Sequence, residues 1–176
     1  MSMYQVLQNT DRSQAIKTNV EQEKKLTASL NTYLKFAIDP HTIGLLESEF
    51  TQEVITVKSS DVNPVPNKPS CILGILSRRR HVYWAIDLAM LLGLQRLDQH
   101  IGLYEVIIVR VQERALALVV PSILGVVNIP SDRHKSDSTL IPATLKPYLS
   151  GYVNEGGEIS YLFCADSILR SAILHS

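Results

Sequence analysis

Ile72-Leu73-Gly74-Ile75-Leu76-Ser77-Arg78-Arg79-Arg80-His81-Val82-Tyr83-Trp84-Ala85-Ile86-Asp87-Leu88 decides how this chain is read. Two apolar runs, 72–77 and 81–86, flank three consecutive arginines, the pattern of two short strands joined by a tight turn. Strand alternation places Val82, Trp84 and Ile86 on one face and Tyr83 and Ala85 on the other. Asp87 is a good N-cap and Gly93 a good helix stop, so residues 87–93 are expected to form one or two helical turns. Gly74 sits inside a strand pattern. It permits a bulge or a close backbone approach that leaves a notch for a partner, and reads equally as a kink at a barrel corner.

Working outward, further short β-branched runs lie at 53–57, 105–111, 115–120, 124–129, 151–154 and 159–163. Residues 33–38 and 42–46, on either side of Asp39-Pro40-His41, read as a hairpin. Gly156-Gly157 fits a two-residue hairpin loop with positive φ. The segment 62–69, with three prolines, and the polar segment 131–139 read as loops. Residues 166–174 repeat apolar side chains at helical spacing, which predicts a C-terminal amphipathic helix capped near Asp166. Residues 1–30 read as a flexible polar tail leading into a short helix around 20–26, where Glu21 and Lys25 stand at i,i+4. The spacing of strands fits an all-β protein, either two small barrels or one sandwich.

The 176 residues carry 17 Lys+Arg against 17 Asp+Glu, and 45% are hydrophobic. That is enough chain for one domain with a sizeable core. Zero net charge excludes a broadly basic nucleic-acid protein, so any electrostatic contact must be a local patch. Cys71 and Cys164 lie in apolar settings and read as buried free thiols, without the paired spacing of a structural zinc site. No signal-peptide core and no long apolar span is present, which predicts a cytoplasmic protein without direct membrane insertion. Phosphate-binding, dinucleotide, nucleophile-elbow and zinc-protease motifs are missing. His41, His81, His100, His134 and His175 fall at turns, loops or the terminus and read as solvated. No enzyme, cofactor or metal is expected; a Ser/His/Asp set would have to assemble in the fold alone.

The local concentration of charge is Arg78-Arg79-Arg80-His81. It reads as a solvated hairpin turn, as the rim of a protein-binding surface, where arginine is enriched, or as a basic turn beside Tyr83 and Trp84 that stacks single-stranded nucleic acid.

The run Val62-Asn63-Pro64-Val65-Pro66, the stretch 72–88, Leu91-Leu92-Gly93-Leu94, the segment 119–127, Ser150-Gly151-Tyr152 and the segment 159–166 together resemble the CheW-type adaptors of bacterial chemotaxis, in colinear order over about residues 32–174. The resemblance implies two five-stranded SH3-like barrels with a C-terminal helix. It places the domain over 31–176, with a first barrel of roughly 31–95 plus a C-terminal return and a second of roughly 103–150. It implies a non-enzymatic adaptor that joins the regulatory domain of a CheA-type histidine kinase to the cytoplasmic tip of a methyl-accepting receptor, in receptor arrays and with ring self-assembly alongside the kinase domain. Arg79 and Arg78 are the expected anchors, with Glu53 on a partner-binding strand edge and Gly74 and Gly125 at barrel surfaces; Asp87 is expected to cap a helix. Departures are Arg80 where the family has glycine, Pro121 where it is usually acidic, the tail 1–30 and the insert 131–139. They suggest a divergent member from a pilus-motility or phototaxis pathway. The alternative is a small β-barrel nucleic-acid binder using Arg78, Arg79 and Arg80.

Overall fold

The computed structural model describes residues 29–95 and 102–175. The short helix expected around 20–26 lies outside them, and Leu30, read as tail, already begins the first strand. Among the described residues, strands β1 (Leu30–Asp39), β2 (Thr42–Glu47), β3 (Thr51–Lys58), β4 (Val62–Asn63), β5 (Ile72–Arg78) and β6 (His81–Asp87) are followed by the short helix α1 (Leu88–Leu91). Strands β7 (Leu103–Val111), β8 (Arg114–Val120), β9 (Ser122–Pro130), β10 (Leu149–Glu155) and β11 (Glu158–Phe163) precede helix α2 (Ala165–Leu169).

The strands form two curled sheets, ordered β9-β1-β2-β11-β10 and β3-β7-β8-β6-β5-β4. They are the two SH3-like barrel subdomains. In the second, the chain leaves β3 through a 3-10 turn at Ser59–Asp61 and returns as β4 to pair with β5. In the first, it leaves β9 through a 3-10 turn at Ser131–Arg133, and Lys135 exchanges both backbone hydrogen bonds with Tyr152 of β10, each 2.9 Å. Each barrel is thus closed by a bent edge strand, which removes an open edge.

Matching β3, β7, β8, β6 and β5 to β9, β1, β2, β11 and β10 makes the two topologies equivalent, related by a circular permutation. Each has one parallel pair, β6 with β8 and β11 with β2. Asp87 N donates to Cys71 O as Cys164 N donates to Tyr148 O, both at 2.8 Å.

The sheets divide the chain differently from 31–95 with a C-terminal return and 103–150. One barrel takes residues 51–63, 72–87 and 103–120, and the other takes 30–47, 122–130 and 149–163. Adjacent strands in sequence do pair as hairpins, but β2 and β3, one 3-10 turn apart, belong to different barrels. The segment 62–69 begins with a two-residue strand, and 131–139 contains the closing bridge.

Glycine is required where a closing strand crosses. A Cβ at Gly74 would lie 2.2 Å from the Asn63 carbonyl oxygen, and one at the equivalent Gly151 would lie 2.4 Å from that of Lys135. Both glycines flank a register shift in their hairpin.

Three apolar clusters result. Val62, Leu76, Tyr83, Ala85, Val106, Ile108, Ala117 and Val119 fill one barrel; Tyr33, Leu45, Ile129, Val153 and Leu162 fill the other. The largest lies between them and joins Leu34, Phe36, Leu46 and Phe163 to Ile86, Ile107 and Leu118, with Leu88 and Leu91 of α1 and Ile168 and Leu169 of α2. Cys71 is buried in this layer, Cys164 is partly buried, and both are free thiols; burial pushes the Cys71 thiol up.

Asp87 caps α1 as expected: its buried carboxylate accepts from Met90 N at 3.1 Å. Asp166 does not cap its helix. Cys164 stands at the N-cap without a side-chain hydrogen bond, and Asp166 pairs with Arg170 one turn on at 2.8 Å. The expected continuous helix over 166–174 breaks beside Ser171, which is buried and hydrogen-bonded to the Tyr148 hydroxyl at 3.0 Å; a 3-10 turn, Ala172–His175, follows.

Gly74→Ala or Gly151→Ala should each lower stability by about 2 kcal/mol or more, because backbone must move. Gly125→Ala adds a Cβ that meets nothing within 4 Å, so it should cost less than either, only the strain of its φ of 118°, about 1–2 kcal/mol. Urea denaturation of the three variants checks the ranking.

Candidate functional site

The candidate site lies at one mouth of the β3–β8 barrel. The β3–β7 ladder shifts register between Thr51 and Glu53, leaving Gln52 at the bulge. β3 and β5 are not neighbours in the sheet. Curling nonetheless brings Glu53 Oε1 within 2.7 Å of Arg78 Nη2 at the end of β5 and 3.4 Å of Arg79 Nη2. The ion pair therefore reaches across the barrel mouth. The Glu53 side chain is 20% exposed, against 38% for Arg78 and 74% for Arg79.

Arg79 and Arg80 are the two loop residues of the β5–β6 hairpin, between the paired Arg78 and His81. Their φ values of 45° and 67° are those of a type I′ turn. Glycine or asparagine takes these angles readily, whereas a left-handed conformation costs an ordinary residue roughly 1 kcal/mol or more. Arg80, in place of a residue free of this cost, thus bears the strain, and the tight turn is kept.

Gln52 links the site to the next strand. It accepts from Arg110 Nε at 2.7 Å and donates to the Tyr83 hydroxyl at 3.5 Å. Gln52, Glu53, Arg78, Arg79, His81 and Tyr83 line a cleft of about 450 Å³. The hydrogen bond from Arg78, reinforced by the charges of Arg78 and Arg79 against some desolvation, holds the Glu53 carboxyl below the usual carboxylate range. The same contact pushes Arg78 up. Glu53 engages Arg78 through Nη2, while the buried Arg78 Nε has no hydrogen-bond partner among the described residues, and Arg79, joined only by the longer contact, faces solvent. Such a mouth can bind an anionic group.

Glu53, Arg78 and Arg79 are thus brought together as one site. Gly74 is not part of it: the residue is buried and its missing side chain makes room for the Asn63 carbonyl. The close passage of the Asn63 carbonyl gives this glycine a structural role, that of the barrel-corner reading. Gly125 lies in the other barrel, paired with Lys35. Under the permutation it occupies the position of Glu53, with open space where a side chain would stand. It is flanked by exposed Leu124 and Val126 on an outer edge.

The stacking surface expected of a nucleic-acid binder is not formed as read. Tyr83 is only 3% exposed and belongs to the barrel core, while Trp84, 37% exposed, has Lys68 Nζ 5.8 Å from its ring centroid. Sequence reasoning missed Gln52 and Arg110. Their signal was the bulge, which strict strand alternation hides. Pro121 marks the bend from one barrel to the other; just beyond it, Ile123 N donates to the Glu105 carboxylate. His134 is hydrogen-bonded to the Tyr33 hydroxyl at 3.0 Å, and His81 lies beside the Tyr83 ring. Among the described residues, no group of three or more His, Cys, Asp or Glu side chains is placed to hold a metal. None of their helices is long and apolar enough to cross a membrane.

The family model for the CheW-like domain matches residues 33–172. A structural similarity covers 81% of this chain and 94% of the scaffolding protein TtCheW from Thermoanaerobacter tengcongensis, at a TM-score of 0.70 and 15% identity. No curated protein matches in sequence.

Because the Glu53 carboxyl is held below its ordinary range in the folded chain, its contribution to stability is present above the unfolded-state value, near 4.5, and is lost as pH falls through the folded value. The stability difference between the parent and Glu53→Gln should therefore be small and constant at neutral pH and shrink in acid, disappearing only once the pH has fallen below the lowered folded-state value of the carboxyl. Urea midpoints of both proteins against pH test this.

Proposed function

The chain belongs to the CheW-like domain family, and we propose from that premise that it is a non-enzymatic adaptor joining a CheA-type histidine kinase, through the kinase's regulatory domain, to the cytoplasmic tip of a methyl-accepting receptor. The pathway is chemotaxis, phototaxis or pilus motility, and the adaptor works in the cytoplasm within receptor arrays, where it can also enter rings with the kinase domain. The observation that carries this reading is the pair of barrels set on one apolar layer. Their exposed surfaces differ, a charged mouth at Glu53, Arg78 and Arg79 on one and the apolar edge at Leu124, Gly125 and Val126 on the other.

An adaptor with two separate surfaces raises the effective concentration of its partners toward one another. It transmits receptor state only to the extent that it binds the two states with different free energy. Arg79 supplies the anchoring guanidinium, Arg78 and Glu53 hold the mouth's shape, and Gly125 keeps the second surface flat enough for close approach.

Arg79→Glu should weaken capture of the purified kinase regulatory domain at least about tenfold by reversing an interfacial charge, with Tm changed by no more than a few degrees because the side chain is exposed. Gly125→Arg should weaken binding at the other surface. Pull-down and calorimetry, with heparin and single-stranded oligonucleotide as controls, decide between this and the nucleic-acid alternative. A large fall in Tm for Arg79→Glu would make that arginine a structural residue.

A further inference from the structure

The hairpin turn at residues 79–80 has an internal counterpart. Under the permutation that superposes the two topologies, β5–β6 corresponds to β10–β11, whose two-residue loop is Gly156-Gly157 with φ 61° and 95°. The same turn is thus built once from residues that take positive φ freely and once from two arginines that do not. Nothing in barrel closure demands arginine there: the counterpart closes with glycines.

The two guanidiniums do little inside the chain. Arg78 already answers Glu53 at 2.7 Å, so the 3.4 Å contact from Arg79, itself 74% exposed, is secondary. Arg80 is exposed and has no ion partner among the described residues. β6 and β8 run parallel and begin at His81 and Arg114, which puts Arg114 at the same end of the sheet as the turn, with Glu113 next to it in the β7–β8 connection. Arg110, paired with Ala115 beside it, adds a further cation. Strain kept where the fold does not need it points to contact.

We propose that the Arg79–Arg80 turn retains its unfavourable backbone so that both guanidiniums face an acidic segment of a protein partner. This rests on the adaptor reading only in taking the partner to be a protein. The chemistry favours carboxylates. Arginine pairs with them in a forked, bidentate geometry, and Glu53 at the centre of the mouth already shows that acceptor in place. A nucleic-acid strand would instead need an exposed aromatic platform and an unbroken basic track. Here Tyr83 is buried, the Trp84 ring is attended by Lys68, and Glu53 interrupts the positive charge.

The test separates charge from conformation. Arg79→Asn/Arg80→Gly removes both charges and supplies residues suited to the turn; Arg79→Gln/Arg80→Gln removes the same charges and keeps the unsuitable backbone. Binding of a fluorescein-labelled oligoglutamate peptide to the full chain is followed by anisotropy, with labelled oligothymidylate alongside, and thermal unfolding is measured for each protein.

Both variants should bind oligoglutamate about tenfold or more weaker than the parent, and parental binding should fall with added salt. The Asn-Gly variant should melt about 4 °C or more above the Gln-Gln variant. Equal melting temperatures would overturn the claim of strain, unchanged oligoglutamate affinity in either variant would overturn the contact, and tighter parental binding of oligothymidylate would overturn the partner class. If the parent captures oligoglutamate but not the kinase domain, the adaptor reading fails while the chemistry of the turn stands.

Discussion

Everything in this structure depends on the apolar layer between the two barrels. The barrel interiors are small: among the described residues, five buried side chains cluster in one and eight in the other, while the layer between them gathers twenty-one. A barrel with so little inside it cannot offset the entropy of ordering its strands. Burying one outer face of each sheet against its neighbour supplies the missing area. Strands β7 and β8 are therefore apolar on both faces, Ile107 and Leu118 turned to the shared layer and Ile108 and Val119 to the barrel interior. Helices α1 and α2 follow the equivalent strands β6 and β11 and seal the layer with Leu88, Leu91, Ile168 and Leu169.

The charged mouth is a consequence of that arrangement. Closure by a bent strand brings the start of β3 to the end of β5, and a carboxylate and a guanidinium far apart in sequence meet across the opening. The second barrel has the same frame and the same closing device, with Gly125 where the first has Glu53 and two glycines where the first has two arginines. One topology thus presents two different chemistries. Two surfaces that differ in this way can discriminate between partners, as two identical faces cannot.

Much of this was legible in the residues. The β5–β6 hairpin, the capping of α1 by Asp87 and the loop at Gly156-Gly157 each follow from local chemistry that tertiary packing did not override. Where local chemistry misled, a competing side-chain contact was responsible, one local and one long-range. Asp166 has the side chain of a helix cap but bonds Arg170, and the predicted helix breaks at Ser171, held by Tyr148 from another segment. Tyr83 and Trp84 have similar prospects as surface aromatics in sequence; the direction of curl sends Tyr83 inward and leaves Trp84 half out. The candidate site was partly visible, as an arginine cluster and a strand glutamate, but their partnership was not.

By itself the sequence determined the strands, the tight turns and the short helix after β6, because periodicity, capping and glycine placement act over a few residues. Motif order over the chain also pointed to the family. Only the tertiary structure decided which strands share a barrel, that passing carbonyls leave no room for a side chain at Gly74 and Gly151, and that Glu53 meets Arg78. Those outcomes depend on how two sheets curl to bury a common face. That is a property of strands brought together from the whole chain, and no local pattern encodes it.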